Sequence, residues 1–408
     1  MSANPWLIRM ARAGMAALIA LALTACTTAP VAPTGTPFEQ DVSAATDALA
    51  AQWHEARARP MWLARLFPTT VALGPFVDLP AATSTRPGSA FALPGSMASS
   101  LARQAVSQRL NATLPELKQV PVEQMPSLLL SASLAPDSAP VSPGRVLTLV
   151  LEDTQSHRIV ARWRGPVRAA TADLFPGRYS VNSPVIFTQP KAVSNADLFD
   201  LGAGASVPAD DYAARAQLAL LDDARSAYEG KDYERSLRLF QAAAAPHSAL
   251  TIRAYNGQYL SLLALDRKAE ANAAFKQVIE EGFRARSLAI KLLFTPGLTT
   301  FWSDPAISGA YLLWIRDIAA QAAASPACLS VIGHTSHTGA EVFNQSLSLA
   351  RSEYVMGLLQ AEQPNLAARL SAVGRGWAEN IVGSGTDDAR DAIDRRVEFK
   401  IGDCATRP

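Results

Sequence analysis

The residues best suited to chemistry in this 408-residue chain lie near its end, in "CLSVIGHTSHTGAEVFNQSLSLARSEYV". His334, Ser336 and His337 sit together there, Cys328 precedes them, and Arg351 and Cys404 follow. Histidines beside cysteines suggest zinc, yet two histidines three apart on one turn lack the paired spacing of a finger. Ser336 beside a histidine suggests a hydrolase, yet it lacks the flanking glycines of a nucleophile elbow. "GRGWAENIVGSG" is glycine-rich but does not end in the Lys-Ser/Thr of a phosphate loop. No other stretch couples a nucleophile to a base. The expectation is therefore a binding protein without catalysis, cofactor or metal, with His334 structural and His337 solvated.

The elements that must position these residues read β, α, β, α, β, β from Leu288 onward. "LAIKLLFTP" is strand-like, and Asp304 and Pro305 suit the N-cap and first position of the next helix. "CLSVIGH" is a strand. The helix after it spaces Leu347, Ala350, Tyr354, Val355, Leu358 and Leu359 at a helical period. "RLSAVGRG" and "RRVEFKIG" complete the set.

"VIGHTSHTG", Asn344, "LSLAR", "GRG" and "DRRVEF" together resemble the OmpA-like peptidoglycan-binding domain, over roughly the last 120 residues. The resemblance implies a periplasmic domain that binds the peptide stem of the cell wall non-covalently by its diaminopimelate side chain. It implies that Arg351 meets a ligand carboxylate, that Asn344 and Arg395 or Arg396 line or brace the pocket, and that Thr335 and Gly339 shape the loop. Two positions depart from the family. Ser336 stands where it has an acid, and Asp394 where it has asparagine. The ligand ammonium thereby loses its expected partner, and since a charge-assisted hydrogen bond contributes about 1.5–3 kcal/mol, binding is expected to weaken about tenfold or more. Asp394 is expected to restore part of that charge; the alternative is a domain that no longer binds wall and serves as a structural module.

The start of the chain reads "MSANPWLIRMARAGMAALIALALTAC". Arg9 and Arg12 precede an apolar run too short to span a bilayer, the pattern of a secretory signal over residues 1–25. Leu23-Thr24-Ala25-Cys26 resembles the bacterial lipobox, which implies an acylated Cys26. Thr27 in place of an aspartate implies the outer membrane. Residues 26–37 are Pro/Thr-rich and read as a tether. If Cys26 is acylated, Cys328 and Cys404 remain as an even pair in an oxidising compartment, which favours a disulfide.

The whole chain carries 37 basic and 36 acidic residues; without the two arginines of residues 1–25 the balance is −1, which leaves no electrostatic footprint for nucleic acid. A length of 408 residues with 49% hydrophobic content suits two or three domains. Residues 38–190 read as a small α/β domain. "TTVALGPFVDL", "SLLLSASL", "RVLTLVLED" and "RIVARWRG" are strand-like, "DTQSH" joins the last two as a hairpin, and Ser96 suits an N-cap. This segment resembles the α/β domains of certain outer-membrane lipoproteins, among them the curli-secretion pore subunit and activators of peptidoglycan synthases. Residues 191–211 read as a linker.

Residues 212–285 are helical and repeat on a shift of 35, which superposes Ala224 on Tyr259, Tyr228 on Leu263, Phe240 on Phe275 and Ala243 on Val278. The pattern resembles tetratricopeptide repeats, whose period is about 34. Two units are fewer than such stacks normally need, so a face has to pack on an adjoining domain or on a protein partner. A plain four-helix bundle is the alternative. Residues 286–408 form the OmpA-like domain. The expected whole is a multidomain α+β lipoprotein joining outer-membrane lipid, a periplasmic protein partner and peptidoglycan. The other expectation is an accessory subunit of a cell-wall synthase, secretion or motility machine.

Overall fold

The computed structural model describes residues 35–57, 68–79, 97–137, 144–168, 177–186, 196–208, 211–245, 248, 250–295, 297–380, 385 and 394–404. The signal segment, Cys26, most of the tether and Ser96 lie outside the described residues. No helix among the described residues is long and apolar enough to cross a membrane.

The first layer is a five-stranded sheet. Its strands are β1 (Thr69–Asp78), β2 (Leu117–Gln119), β3 (Leu128–Pro136), β4 (Arg145–Asp153) and β5 (Arg158–Val167), in the order β2-β1-β3-β4-β5. β1 runs parallel to β2 and β3, and β3, β4 and β5 form an antiparallel meander. Helices α1 (Pro37–Arg57) and α2 (Met97–Thr113) cover one face. α1 buries Phe38, Val42, Ala45, Leu49 and Trp53, a helical period that meets Leu128, Leu130, Leu147 and Leu149. Leu129 points to the opposite face and joins a different core, so β3 is buried on both sides, with Ser131 and Ser133 also buried on that second face. The β4–β5 turn is the "DTQSH" hairpin, held by the Asp153 carboxylate, which accepts from the Ser156 amide at 2.8 Å.

Two buried polar clusters fasten this sheet to the helices that follow. Gly74 and Pro75 interrupt the β1–β3 register between Leu73 and Phe76, which frees backbone groups. Arg103 of α2 donates to the carbonyls of Leu73 (3.1 Å) and Gly74 and to the Asp223 carboxylate (2.7 Å). The freed Phe76 amide donates to Asp222 at 2.9 Å. A second pair, Arg215 and Glu152 at 2.8 Å, is more deeply buried than the Arg103–Asp223 pair, whose carboxylate is partly exposed.

The central helices are α4 (Asp211–Glu229), α5 (Tyr233–Ala242), α6 (Thr251–Ala264) and α7 (Lys268–Arg284), preceded by a short α3 (Arg178–Asn182). They form two helical hairpins whose turns repeat on the 35-residue shift. Lys231 and Asp266 both have left-handed φ, 65° and 56°. Their amides donate to Tyr228 and Leu263, each at 3.0 Å. The faces of the hairpins are covered by this chain itself. On one side Leu218 and Leu221 share a core with Ala72 and Leu129 of the first sheet. On the other, Phe275 and Tyr259 pack on Trp314, with the Phe275 and Trp314 rings 5.0 Å apart.

Residues 177–186 close a third side. The amides of Arg178 and Tyr179 donate to the Glu229 carboxylate, both at 2.9 Å. The Tyr179 ring stacks on Phe240, and its hydroxyl accepts from Asn256 at 3.1 Å. Val185 then bridges to Ile290 at the edge of the second sheet. The connection read as a linker is also anchored, because Leu198, Phe199 and Val207 are buried against Val77, Val150 and Ile159.

The second sheet holds β6 (Ser287–Ile290), β7 (Cys328–Gly333), β8 (Leu370–Gly374) and β9 (Val397–Gly402), in the order β6-β9-β7-β8. β7 and β8 are parallel, and β9 runs antiparallel to β6 and β7. β6 is shorter than "LAIKLLFTP" implied. After Ile290 the Lys291 amide turns to the Pro184 carbonyl at 2.7 Å, and Phe294 pairs with Phe301 in a tight turn. The expected helix from Pro305 is divided into α8 (Pro305–Ser308) and α9 (Tyr311–Ala324) at Gly309. α10 (Glu341–Glu362) follows β7. Cys328 and Cys404 are joined in a disulfide with Cα atoms 4.9 Å apart, which also removes both as metal ligands.

Candidate wall-binding site

The site is built at the C-terminal ends of the parallel strands β7 and β8, where α10 begins. Close packing there comes from two glycines. A Cβ on Gly333 would lie 2.2 Å from the Ser348 carbonyl oxygen, and one on Gly374 would lie 2.6 Å from the Leu349 amide. The strand ends therefore press directly on the helix. This explains why the inward face of α10 differs from the apolar stripe expected from spacing. Its buried residues are Asn344, Ser348, Arg351, Ser352, Val355 and Leu359, while Tyr354 is exposed.

Backbone and amide bonds shape the loop after β7. The His334 amide donates to the Arg396 carbonyl at 3.0 Å, and the Thr335 amide to Gly376 at 2.9 Å. Asn344, one of the expected site residues, donates to the Thr338 carbonyl at 2.8 Å and braces the loop from the helix side. Gly339 has φ +94°, which L side chains rarely adopt. Asn380, with its amide turned to suit its neighbours, donates to the Thr335 carbonyl at 2.7 Å and accepts from the His337 amide at 3.2 Å.

Thr335 and Ser336 are buried in this loop, and His337 is exposed with its ring 4.4 Å from that of Trp377. Asp394 is fully buried. Arg396 is a brace: its Nε donates to Glu398 at 2.7 Å and its Nη2 to the Glu379 carbonyl at 3.0 Å. Arg395 is half-buried beside it.

Arg351 is buried rather than displayed. Its Nε donates to the Leu298 carbonyl at 3.0 Å, its Nη2 to the Thr295 carbonyl at 3.3 Å, and its guanidinium carbon lies 4.8 Å from the centre of the Phe294 ring. Sequence spacing did not reveal these partners, which lie 53 and 56 positions away. The Pro-Gly pair at 296–297 in the sequence is the signal that could have marked a fold-back between Phe294 and Phe301.

His334 is 1% exposed, and neither ring nitrogen has a hydrogen-bond partner. Burial, reinforced by the nearby guanidiniums of Arg396 and Arg375, pushes its pKa down to about 2. The unfolded chain protonates this histidine near pH 6.5, so between about 6.5 and 2 the unfolded state binds the extra proton. Stability is then lost as pH falls below about 6.5, by up to about 1.4 kcal/mol per pH unit from this group. Denaturant melts near neutrality and near pH 5 are expected to differ less for His334→Gln than for wild type. Equal differences contradict this.

The loop thus holds the Thr335 and Ser336 hydroxyls buried, and the Thr335 backbone groups are bonded to Gly376 and Asn380. Among the described residues this loop contains no nucleophile–base pair.

Residues 305–394 match the OmpA family, so the C-terminal region of this chain carries an OmpA-family domain. Three solved structures illustrate what that region is similar to. The periplasmic domain of Helicobacter pylori MotB is 20% identical over 29% of this chain and 75% of its own, with a TM-score of 0.24. The peptidoglycan-associated lipoprotein from Burkholderia pseudomallei is 21% identical over 28% and 89%, with a TM-score of 0.24. The cell wall anchor of the T6SS from Pseudomonas aeruginosa is 22% identical over 30% and 91%, with a TM-score of 0.23. No curated protein matches the chain.

Proposed function

We propose that this protein is a non-enzymatic, lipid-anchored envelope protein that binds peptidoglycan non-covalently from the periplasmic face of the outer membrane. The observation that carries the reading is the OmpA-family match over residues 305–394, within which "LSLAR" supplies Arg351. The ligand is the peptide stem, whose diaminopimelate end carries carboxylates beside an ammonium. Arg351 takes a carboxylate. Thr335, Ser336 and Asn344 form the loop side of the pocket, and Asp394, Arg395 and Arg396 its sheet side. Acylated Cys26 holds the other end at the membrane, with residues 26–37 as the tether. The helical hairpins scaffold a further envelope protein through outward positions such as Leu263, because their other faces are covered by this chain.

A second reading is an accessory subunit of a wall-synthesis, secretion or motility machine whose wall site has degenerated. Ser336 in place of the acid and the engagement of Arg351 by Leu298 and Thr295 favour it.

Co-sedimentation of the mature chain with purified sacculi separates the two. Retention of wild type, reduced about tenfold or more in Arg351→Ala, is expected from the first reading. Absence of wild-type retention rejects it.

A further inference from the structure

Nε and Nη2 form one edge of the arginine guanidinium, the edge that meets a carboxylate side-on through two parallel hydrogen bonds. In Arg351 the carbonyls of Leu298 and Thr295 occupy that edge. We propose that the turn bearing these two carbonyls is an internal competitor for the wall ligand, which a carboxylate approaching side-on must displace before Arg351 can hold it at that edge. This inference rests on the reading that Arg351 is the ligand's carboxylate partner.

Two features suit the turn to that role. Its own backbone bonds are few: Thr295 donates to Thr300 at 2.9 Å, Leu298 to Thr295 at 3.0 Å, and Trp302 to Leu293 at 2.9 Å. Leu298 at the tip is 53% exposed and Trp302 is 39% exposed, so the tip buries little apolar surface of its own. Its attachment comes instead from Phe294 beneath the guanidinium and from Phe301, whose ring lies 5.2 Å from Tyr311 and 5.3 Å from Tyr354.

The exchange also has a favourable direction once a ligand arrives. A ligand carboxylate brings a full negative charge where the two carbonyls bring only dipoles, so it is the stronger acceptor for the same guanidinium edge. Docking of the turn then lowers apparent affinity by the fraction of molecules in which the edge is open. An arginine so covered avoids weak anions. It answers a ligand that brings a carboxylate in the right plane together with other contacts.

The experiment titrates the mature full chain with the stem tripeptide ending in diaminopimelate. Phe294→Ala removes the ring under the guanidinium and is expected to tighten binding roughly 3- to 30-fold. Phe301→Leu loosens the same turn from its other arm, is expected to act in the same direction, and decides the matter if Phe294→Ala fails to fold. Trp302 emission, isolated by subtraction of Trp302→Phe, is expected to shift as ligand saturates. Folded variants that bind no tighter than wild type, or a Trp302 signal that stays constant at saturation, overturn the competitor while Arg351→Ala still abolishes binding. Undiminished binding by Arg351→Ala, or no binding by any variant, instead rejects the wall reading beneath it.

Discussion

A double Cys328→Ser, Cys404→Ser variant is expected to lose about 4 kcal/mol of stability in the C-terminal domain. The two cysteines are 76 positions apart, and the loop they close holds most of that domain: β7, α10, β8 and β9. Reduction lets this whole loop explore open conformations when unfolded, which is where the cost arises. The bond also lies where geometry demands little of the fold, since Cys328 pairs with Gly402 across β7 and β9 and Cys404 follows two residues later. Denaturant melts of oxidised wild type and the double variant check this. Coincident midpoints contradict it, and a loss confined to probes within residues 286–408 supports it.

Arg103→Leu is expected to cost about 2–4 kcal/mol, because it leaves two buried carbonyls without their donor and the partly exposed Asp223 carboxylate without its cation. Arg103 is 3% exposed and serves three acceptors at once: two carbonyls freed by the Gly74-Pro75 interruption, and Asp223 of α4. The leucine leaves the carbonyls without a donor at the seam between sheet and helical hairpins. Arg103→Lys keeps the charge but presents a point rather than a fork, so an intermediate loss is expected. Thermal melts of the three proteins check the order. A leucine variant as stable as wild type contradicts the role given to the seam.

The C-terminal domain was legible because its chemistry is local. Strand, loop and helix residues follow one another, and the loop glycines and "LSLAR" lie at fixed spacing. Helical hairpins 35 residues apart were legible for a similar reason, since each polar turn between apolar helices repeats a left-handed residue, Lys231 and Asp266. What covers those hairpins was not legible. Tyr179 and Trp314 reach them from distant segments, and no pattern near residues 212–285 announces either contact.

The inward face of α10 misled for a physical reason. Hydrophobic period selects Leu347 and Tyr354, but bare strand ends at Gly333 and Gly374 leave room only for small or bonded side chains such as Ser348. Arg351 was placed on the right helix, and its burial under Thr295 and Leu298 followed from tertiary contacts that spacing does not encode. β2, three residues long, is too short to show alternation.

The most direct measurement of the central claim is calorimetric titration of the mature chain with two stem peptides that differ by one carboxylate. One carries diaminopimelate in its third position; the other carries lysine, which is diaminopimelate without its far carboxylate. The expected result is binding of the first about tenfold or more tighter than the second, a preference that disappears in Arg351→Ala. Equal affinities for both peptides in the wild-type chain would contradict it.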